Sequence, residues 1–257
     1  MSSPSPRSII PSPGRYPDVS ADAKEAFRVL KTGGVVIVPT DVGYGMMSSS
    51  AEGIERAFAA KHRAAGHTLG IVGTYRQHLE LHILPNENFE MTRVITQEMG
   101  QILAVVASFR RDHPRLKQMS PLTLERVTKG DTLGIAIPEE PFLKELGRLN
   151  DEDGQLMVGS SANLSGKGQK FRVEDIEPEV LECADLVVDY GVQRYHRYKR
   201  AGTCVGFVDG EMKVLRIGAG YEVFRERMRK WFDVELPEDP ENSIDELGVG
   251  VSVKLEQ

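Results

Sequence analysis

The feature that most constrains the fold is a run of β-branched residues between a helical segment and a glycine-containing loop. Apolar residues recur at helical spacing between Asp22 and Thr32, and Gly33–Gly34 then end the helix. Val35–Val38 follows as an uninterrupted apolar run, which is typical of a strand buried on both faces. The loop predicted over Pro39–Ser48 therefore begins at a strand end, the usual ligand crevice of open α/β sheets.

Predicted helices and strands alternate along the rest of the chain, with two places where strands follow each other directly. This order favours a single-domain α/β fold with a mixed parallel and antiparallel sheet, because strands joined by helices pair in parallel and consecutive strands form antiparallel hairpins. Helices are predicted over Ala51–Ala64, Arg76–Leu84, Phe89–Met99, Pro141–Leu149, Glu174–Ala184 and Tyr221–Phe232. Strands are predicted over Leu69–Val72, Leu103–Ser108, Leu122–Val127, Leu133–Ile137, Leu156–Gly159, Leu186–Val188, Cys204–Val208 and Lys213–Ile217.

The two ends of the chain differ in composition from the middle. Residues 1–20 are rich in proline and are predicted to form a flexible tail. Residues 233–257 are acidic and contain further prolines, so they are predicted to lack regular structure, with an edge strand over Val249–Leu255 as the alternative. The folded domain is therefore expected over residues 21–232.

Charge and composition exclude several classes of protein. A formal net charge of −6 opposes non-specific attraction to nucleic acid and to anionic membranes, so any anion site must be local. No apolar run approaches the roughly 20 residues of a membrane-spanning helix. Cys183 and Cys204 are too few for a disulfide framework or a zinc site, which favours a reducing compartment and hence the cytoplasm. The 6 histidines show no metal-ligand spacing.

Two polar loops follow predicted strands. In Pro39–Gly45, glycines let the backbone approach a ligand and Thr40 and Tyr44 supply hydroxyls, although a tight turn would use the same residues. In Ser160–Gly166, hydroxyl and amide side chains form a polar cradle for a ribose or phosphate group. This second loop holds more hydrogen-bonding groups than a turn requires.

Two basic segments have more than one interpretation. Lys61 and Arg63 stand at the end of a predicted helix, where cations stabilise the helix dipole; facing the ligand crevice, they would instead neutralise phosphates or a carboxylate. Arg194–Arg200 combines basic and aromatic residues. It is typical of a phosphate-gripping loop, of an RNA contact surface or of a solvated loop.

Taken in order, several short segments resemble the YrdC-like family of L-threonylcarbamoyladenylate synthases, and the similarity runs from about Ala21 to Gly218. No single motif is decisive, but their order along the chain is specific. The segments are GGVVIVPTDVGYGM at 33–46, KHR at 61–63, SPLT at 120–123, LGIAIP at 133–138, SSANLSG at 160–166, GTCV at 202–205 and VLRIG at 214–218.

The resemblance implies a twisted mixed sheet with a concave, positively lined cavity for ATP, bicarbonate and an amino acid, by default L-threonine. The enzyme would be a nucleotidyltransferase that forms L-threonylcarbamoyl-AMP and releases pyrophosphate, with Mg²⁺ accompanying ATP. Its product would pass to a partner transferase that modifies tRNA. By the resemblance, Lys61 and Arg63 are the catalytic pair. The substrate- or nucleotide-binding residues would be Thr40, Tyr44, Thr123, Ser160, Ser161, Asn163, Arg200, Thr203 and Arg216.

The sequence also departs from the family pattern. Val42 replaces a threonine, Ala136 an arginine and Val72 a histidine, while Ala64 replaces a proline and Gly202 a serine. Two of these changes replace a hydroxyl and an imidazole with apolar side chains. We therefore expect the selectivity for threonine to be relaxed or redirected. Two alternatives stay open. One is a divergent enzyme that acts on another small amine or acid, and the other is a nucleotide- or RNA-binding module without turnover.

Overall fold

The computed structural model describes residues 6–62, 68–208 and 210–240. Helices alternate with strands of one mixed sheet over these ranges. The helices are α1 (Val19–Lys31), α2 (Ala51–Ala60), α3 (Tyr75–Leu81), α4 (Asn86–Arg93), α5 (Pro114–Lys117), α6 (Pro121–Val127), α7 (Pro141–Glu152), α8 (Pro178–Glu182) and α9 (Tyr221–Phe232), with a π-helical turn at Val94–Glu98 and a 3₁₀ turn at Val173–Asp175. The strands are β1 (Arg7–Ile9), β2 (Val36–Thr40), β3 (Gly43–Ser48), β4 (Gly70–Val72), β5 (Leu103–Ser108), β6 (Thr128–Lys129), β7 (Thr132–Ile137), β8 (Val158–Ser161), β9 (Leu186–Val188), β10 (Thr203–Val208) and β11 (Glu211–Arg216).

The strands of the described ranges pair in the order β1-β9-β2-β3-β8-β4-β7-β5-β10-β11, and β6 adds a short pair to β7. Parallel pairs, such as β2 with β9 and β5 with β10, alternate with antiparallel pairs such as β2 with β3 and β10 with β11. The predicted single-domain α/β fold with a mixed sheet is therefore confirmed.

The helices cover the two faces of this sheet unequally. On one face, α1 and α7 pack on β2, β3 and β9 through apolar side chains such as Ala26, Leu30 and Phe142. On the other face, α2 and α8 cover β2 and β3, while α2 and α9 cover the half containing β5, β7 and β10. The α1–α7 face is therefore left uncovered beyond β3, and this is where a ligand could enter.

Two segments have a different structure from the one predicted. The predicted strand Leu122–Val127 is helix α6, because Pro121 suits a first helical turn and the Ser120 side chain caps it by accepting a hydrogen bond from the Thr123 amide. The predicted loop Pro39–Ser48 contains β3, which forms a hairpin with β2. Gly43 permits that hairpin because its φ of +116° is a conformation that other residues rarely adopt.

The ends of the domain also differ from the prediction. Within the proline-rich segment 1–20, β1 pairs with β9 and α1 begins at Val19, so part of the expected tail belongs to the sheet. Residues 233–240 form neither helix nor strand, yet Leu236 and Asp239 are buried against the domain. The edge strand considered at Val249–Leu255 lies outside the described residues.

Candidate functional site

A cavity of about 340 Å³ lies on the uncovered half of the sheet. Small residues occupy many of the positions that face it, which leaves room above the sheet, and the alternate positions mostly carry large buried side chains. In β7, Leu133 and Ile137 enter the core on the far face, while Gly134 and Ala136 line the cavity. The glycines and alanines that line the cavity are Gly45, Gly70, Ala104, Gly134, Ala136, Gly159, Ala201 and Gly202.

The predicted cradle Ser160–Gly166 is partly strand and partly turn. Ser160 and Ser161 are the last residues of β8 and line the cavity. Asn163 lies behind them, is buried, and its side-chain amide donates to the Leu164 carbonyl at 2.5 Å. The structure therefore brings the two serines, but not Asn163, to the cavity surface.

Lys61 is buried beneath that turn rather than exposed in the cavity. Its side chain is 1% exposed, and its ammonium donates to the Ser161 carbonyl and, at 2.5 Å, to the Asn163 carbonyl. The Lys61 carbonyl also accepts the Ser165 amide at 3.1 Å. Lys61 therefore does not expose its ammonium in the ligand crevice, as the second interpretation of the basic segment supposed, because the turn after β8 closes over it. Arg63 lies outside the described residues.

Thr40 and Tyr44 line the cavity, but their hydroxyls are bound within the fold. The Thr40 hydroxyl donates to the Gly43 carbonyl at 2.8 Å. The Tyr44 hydroxyl lies 2.7 Å from the Gly191 carbonyl and 3.1 Å from Asp189 Oδ1, and it accepts the Tyr190 amide at 3.1 Å. Burial, and then the charge of Asp189, raise the pKa of Tyr44. These side chains therefore present carbon surface to the cavity.

Three other predicted residues do not line the cavity. Thr123 is buried in the cap of α6, with its hydroxyl 2.9 Å from that of Ser120. Thr203 is fully buried, and its hydroxyl has no hydrogen-bond partner in the part of the chain that is described. Its neighbours Gly202 and Cys204 do line the cavity, as expected from the alternation along a strand. Arg200 forms an ion pair with Asp239 at 2.5 Å.

Arg216 is the only lysine or arginine among the described residues that line the cavity. Its Nε donates to the Gly202 carbonyl at 3.0 Å, and its terminal nitrogens bond to no residue of the described ranges. A guanidinium held in this way presents a fork suited to phosphate or carboxylate oxygens.

A group of acids beside the cavity was missed by the sequence analysis. Asp41 is buried and accepts the Glu139 amide at 3.2 Å, while Glu140 caps α7 by accepting the Leu143 amide at 3.0 Å. Burial raises the pKa of Asp41, and it raises that of Glu140 to about 7. The sequence does contain a sign of these acids, because two glutamates directly follow Pro138. Pro138 itself lines the cavity at the end of β7.

Neither a metal cluster nor a membrane helix is found in the part of the chain that the structure describes. No group of three or more histidine, cysteine or acidic side chains there could hold a metal ion. In the same ranges, no helix combines the length and apolar character of a bilayer span.

The sheet and the cavity define the class, an α/β protein with a ligand-sized cavity on one face of its sheet. The Sua5/YciO/YrdC family model, described as "telomere recombination", matches residues 28–218. The chain belongs to this family.

Individual relatives are distant. A Methanocaldococcus jannaschii protein provisionally named threonylcarbamoyl-AMP synthase is 25% identical over 188 residues, which cover 72% of this chain and 80% of that protein. A hypothetical protein of Streptococcus mutans superimposes with a TM-score of 0.71 at 20% identity, covering 90% of this chain and 97% of its own. P. abyssi Sua5, solved with L-threonine, gives a TM-score of 0.65 at 19% identity. That match covers 90% of this chain but only 61% of the P. abyssi chain.

Proposed function

We propose that this protein is an ATP-dependent nucleotidyltransferase that forms a carbamoyl-adenylate from ATP, bicarbonate and an amino acid, with release of pyrophosphate. Family membership and the provisional name of the M. jannaschii relative support this reaction. Threonine is the first amino acid to test, because the P. abyssi relative was solved with it. The adenylate would serve a downstream transferase acting on tRNA.

The observation that carries the proposal is Arg216 at the cavity, opposite the serines that end β8. In the proposed reaction, Arg216 binds phosphate or carboxylate oxygens, while Ser160 and Ser161 offer hydroxyls to the nucleotide. Such chemistry rests on positioning and charge neutralisation and needs no protein nucleophile. The small floor residues leave room for the substrates.

Lys61 enters this proposal as a support for the nucleotide site. Its ammonium donates to the carbonyls of Ser161 and Asn163, so it holds the end of β8, where the serines lie, against the turn that follows. The proposed role of Arg63 rests on the family motif alone. Mg²⁺ would enter with the triphosphate, because magnesium sites commonly combine few protein ligands with substrate phosphates.

A second candidate is a nucleotide- or RNA-binding module without turnover. The observation that favours it is the segment Arg194–Lys199, most of whose basic and aromatic side chains are exposed outside the cavity. Tyr195 is the exception, because it packs against Val42 and Ile102. Pyrophosphate release distinguishes the two candidates, since only the enzyme produces it. A divergent enzyme acting on another small amine or acid would release pyrophosphate with that compound but not with threonine.

The test is calorimetric titration with ATP together with a pyrophosphate-release assay containing bicarbonate and an amino acid. Arg216→Gln should weaken ATP binding about 10- to 150-fold, the range for losing hydrogen bonds to a charged group. Arg111→Gln is the matched control, because that guanidinium is exposed and pairs with an exposed aspartate. Equal ATP affinity in the wild type and in Arg216→Gln would remove Arg216 from the site.

A further inference from the structure

One end of the cavity is formed by apolar side chains from three separate elements. Met47 of β3, Val72 of β4 and Leu143 of α7 line it and belong to one apolar cluster. A Cβ atom added at Gly159 would lie 2.8 Å from Val72 Cγ2 and 2.9 Å from Met47 Cγ. Met47 and Val72 therefore converge above a glycine of the cavity floor.

Thr40 adds carbon rather than oxygen to this end of the cavity. A Cβ atom added at Gly45 would lie 2.9 Å from both Thr40 Cγ2 and Met47 Cε. The Thr40 hydroxyl, in contrast, donates to the Gly43 carbonyl and accepts the Val42 amide at 3.2 Å. We call the Thr40 methyl group, Met47, Val72 and Leu143 the apolar end.

The hydroxyl proton of Tyr44 is also unavailable there, because it is shared between the Gly191 carbonyl and Asp189. A polar group placed at the apolar end would lose its bonds to water without gaining a partner from these residues. Such a loss disfavours a buried hydroxyl, and it equally disfavours a purine ring, which carries ring nitrogens and an amino group. An aliphatic group has no such requirement.

We propose that the apolar end binds the side chain of an aliphatic amino acid of about the size of valine, and that Val72 and Met47 determine this selectivity. This inference rests on the proposed function for the reaction that follows binding. It concerns the substrate's side chain only. The carboxylate and the nucleotide are left to the polar groups of the cavity, which are the serines of β8 beside the apolar end and Arg216 on β11.

Valine and threonine are the appropriate probes, because they share a shape and differ by a methyl group in place of a hydroxyl. An apolar pocket discriminates against the added hydroxyl by up to about hundredfold. We expect the wild type to bind L-valine about tenfold to hundredfold more tightly than L-threonine in the presence of ATP, measured by calorimetry. Pyrophosphate release with bicarbonate present should follow the same preference.

Val72→Thr is the test variant, since it keeps the branched shape and replaces one methyl group at the apolar end with a hydroxyl. It should reduce the valine-to-threonine preference by at least about tenfold. Val106→Thr is the matched control. It makes the same replacement on the cavity floor, on β5, which is separated from β4 by β7, and should leave the preference unchanged.

The outcomes separate this inference from the proposed function. Pyrophosphate release with threonine at ten times the rate seen with valine, or no binding of either amino acid, would overturn the inference. A Val72→Thr variant that loses ATP affinity instead of amino-acid preference would show that the apolar end holds the base, and would also overturn it. If valine binds with the expected preference but no amino acid supports pyrophosphate release, the proposed function fails and the subsite stands.

Discussion

Replacing Lys61 by methionine tests whether a buried ammonium holds the turn after β8. The side chain is 1% exposed, and its ammonium donates to the carbonyls of Ser161 and Asn163. Methionine has a similar length but no donor. The substitution should therefore leave both carbonyls without their bond to the lysine while keeping most of the packing.

The structure sets the size of the expected effect. A buried acceptor left without a partner costs about 1–3 kcal/mol, so two carbonyls give about 2–6 kcal/mol. Relief from burying a charge offsets part of this cost, which places the net loss near 2–4 kcal/mol. For a domain of this size, 1 kcal/mol shifts the melting temperature by about 2–4 °C, so the expected decrease is about 4–16 °C.

Thermal unfolding followed by circular dichroism measures this decrease, and calorimetric titration then measures ATP affinity well below the new melting temperature. Lys117→Met is the matched control, because Lys117 is exposed and lies 3.5 Å from an exposed aspartate. It should change stability by less than about 1 kcal/mol. A Lys61→Met protein that melts within about 1 °C of the wild type would refute the reasoning, because the ammonium would then hold nothing in place.

Two further predictions concern buried polar groups that do not line the cavity. Thr203→Val removes a buried hydroxyl that lacks a hydrogen-bond partner among the described residues. It should therefore raise the free energy of unfolding by about 1 kcal/mol and leave ATP affinity unchanged. A lower ATP affinity in this variant would show that a ligand uses the hydroxyl. His78 and His82 are buried with their Nδ1 atoms 2.7 Å apart, and burial lowers their pKa values to about 3 and about 4. Below about pH 6.5 the histidines of the unfolded chain take up protons, while the folded pair stays neutral. These two histidines should therefore leave the free energy of unfolding unchanged above pH 6.5. Toward pH 4 they should lower it by up to about 1.4 kcal/mol per histidine and pH unit. Urea unfolding at pH 7 and pH 5 measures this slope, which should become shallower in His82→Asn; an unchanged slope in that variant would show that other groups cause it.

Local patterns determined much of the architecture. The run Val35–Val38 predicts a buried strand whatever its neighbours, and the structure places Val36–Thr40 in β2. The predicted helix Tyr221–Phe232 has the bounds of α9, because helical spacing of apolar residues is a property of the segment itself. The order of motifs from residue 33 to residue 218 was likewise sufficient to indicate the family, which the family model matches over residues 28–218.

Local patterns failed where a capping contact or a single glycine decided the structure. Leu122 and Leu124 alternate with polar residues, which suits a short strand, but Ser120 and Pro121 begin a helix there. Gly43 similarly turns the expected loop after β2 into a hairpin.

The sequence by itself determined which side chains have the chemistry for a nucleotide site, and only the tertiary structure decided which of them face the cavity. Hydroxyls at Thr40 and Tyr44 are visible in the sequence, but the partner of Tyr44 at Gly191 lies 147 residues away. The partner of Thr40 at Gly43 is close in the chain and follows from the hairpin of β2 and β3. Lysine is usually found at the surface, yet Lys61 is buried. A turn about 100 residues later in the chain closes over it, and its ammonium donates to carbonyls of that turn. Hydrogen-bond satisfaction is a property of neighbours in space, and neighbours distant in the chain leave no periodic signal in the sequence.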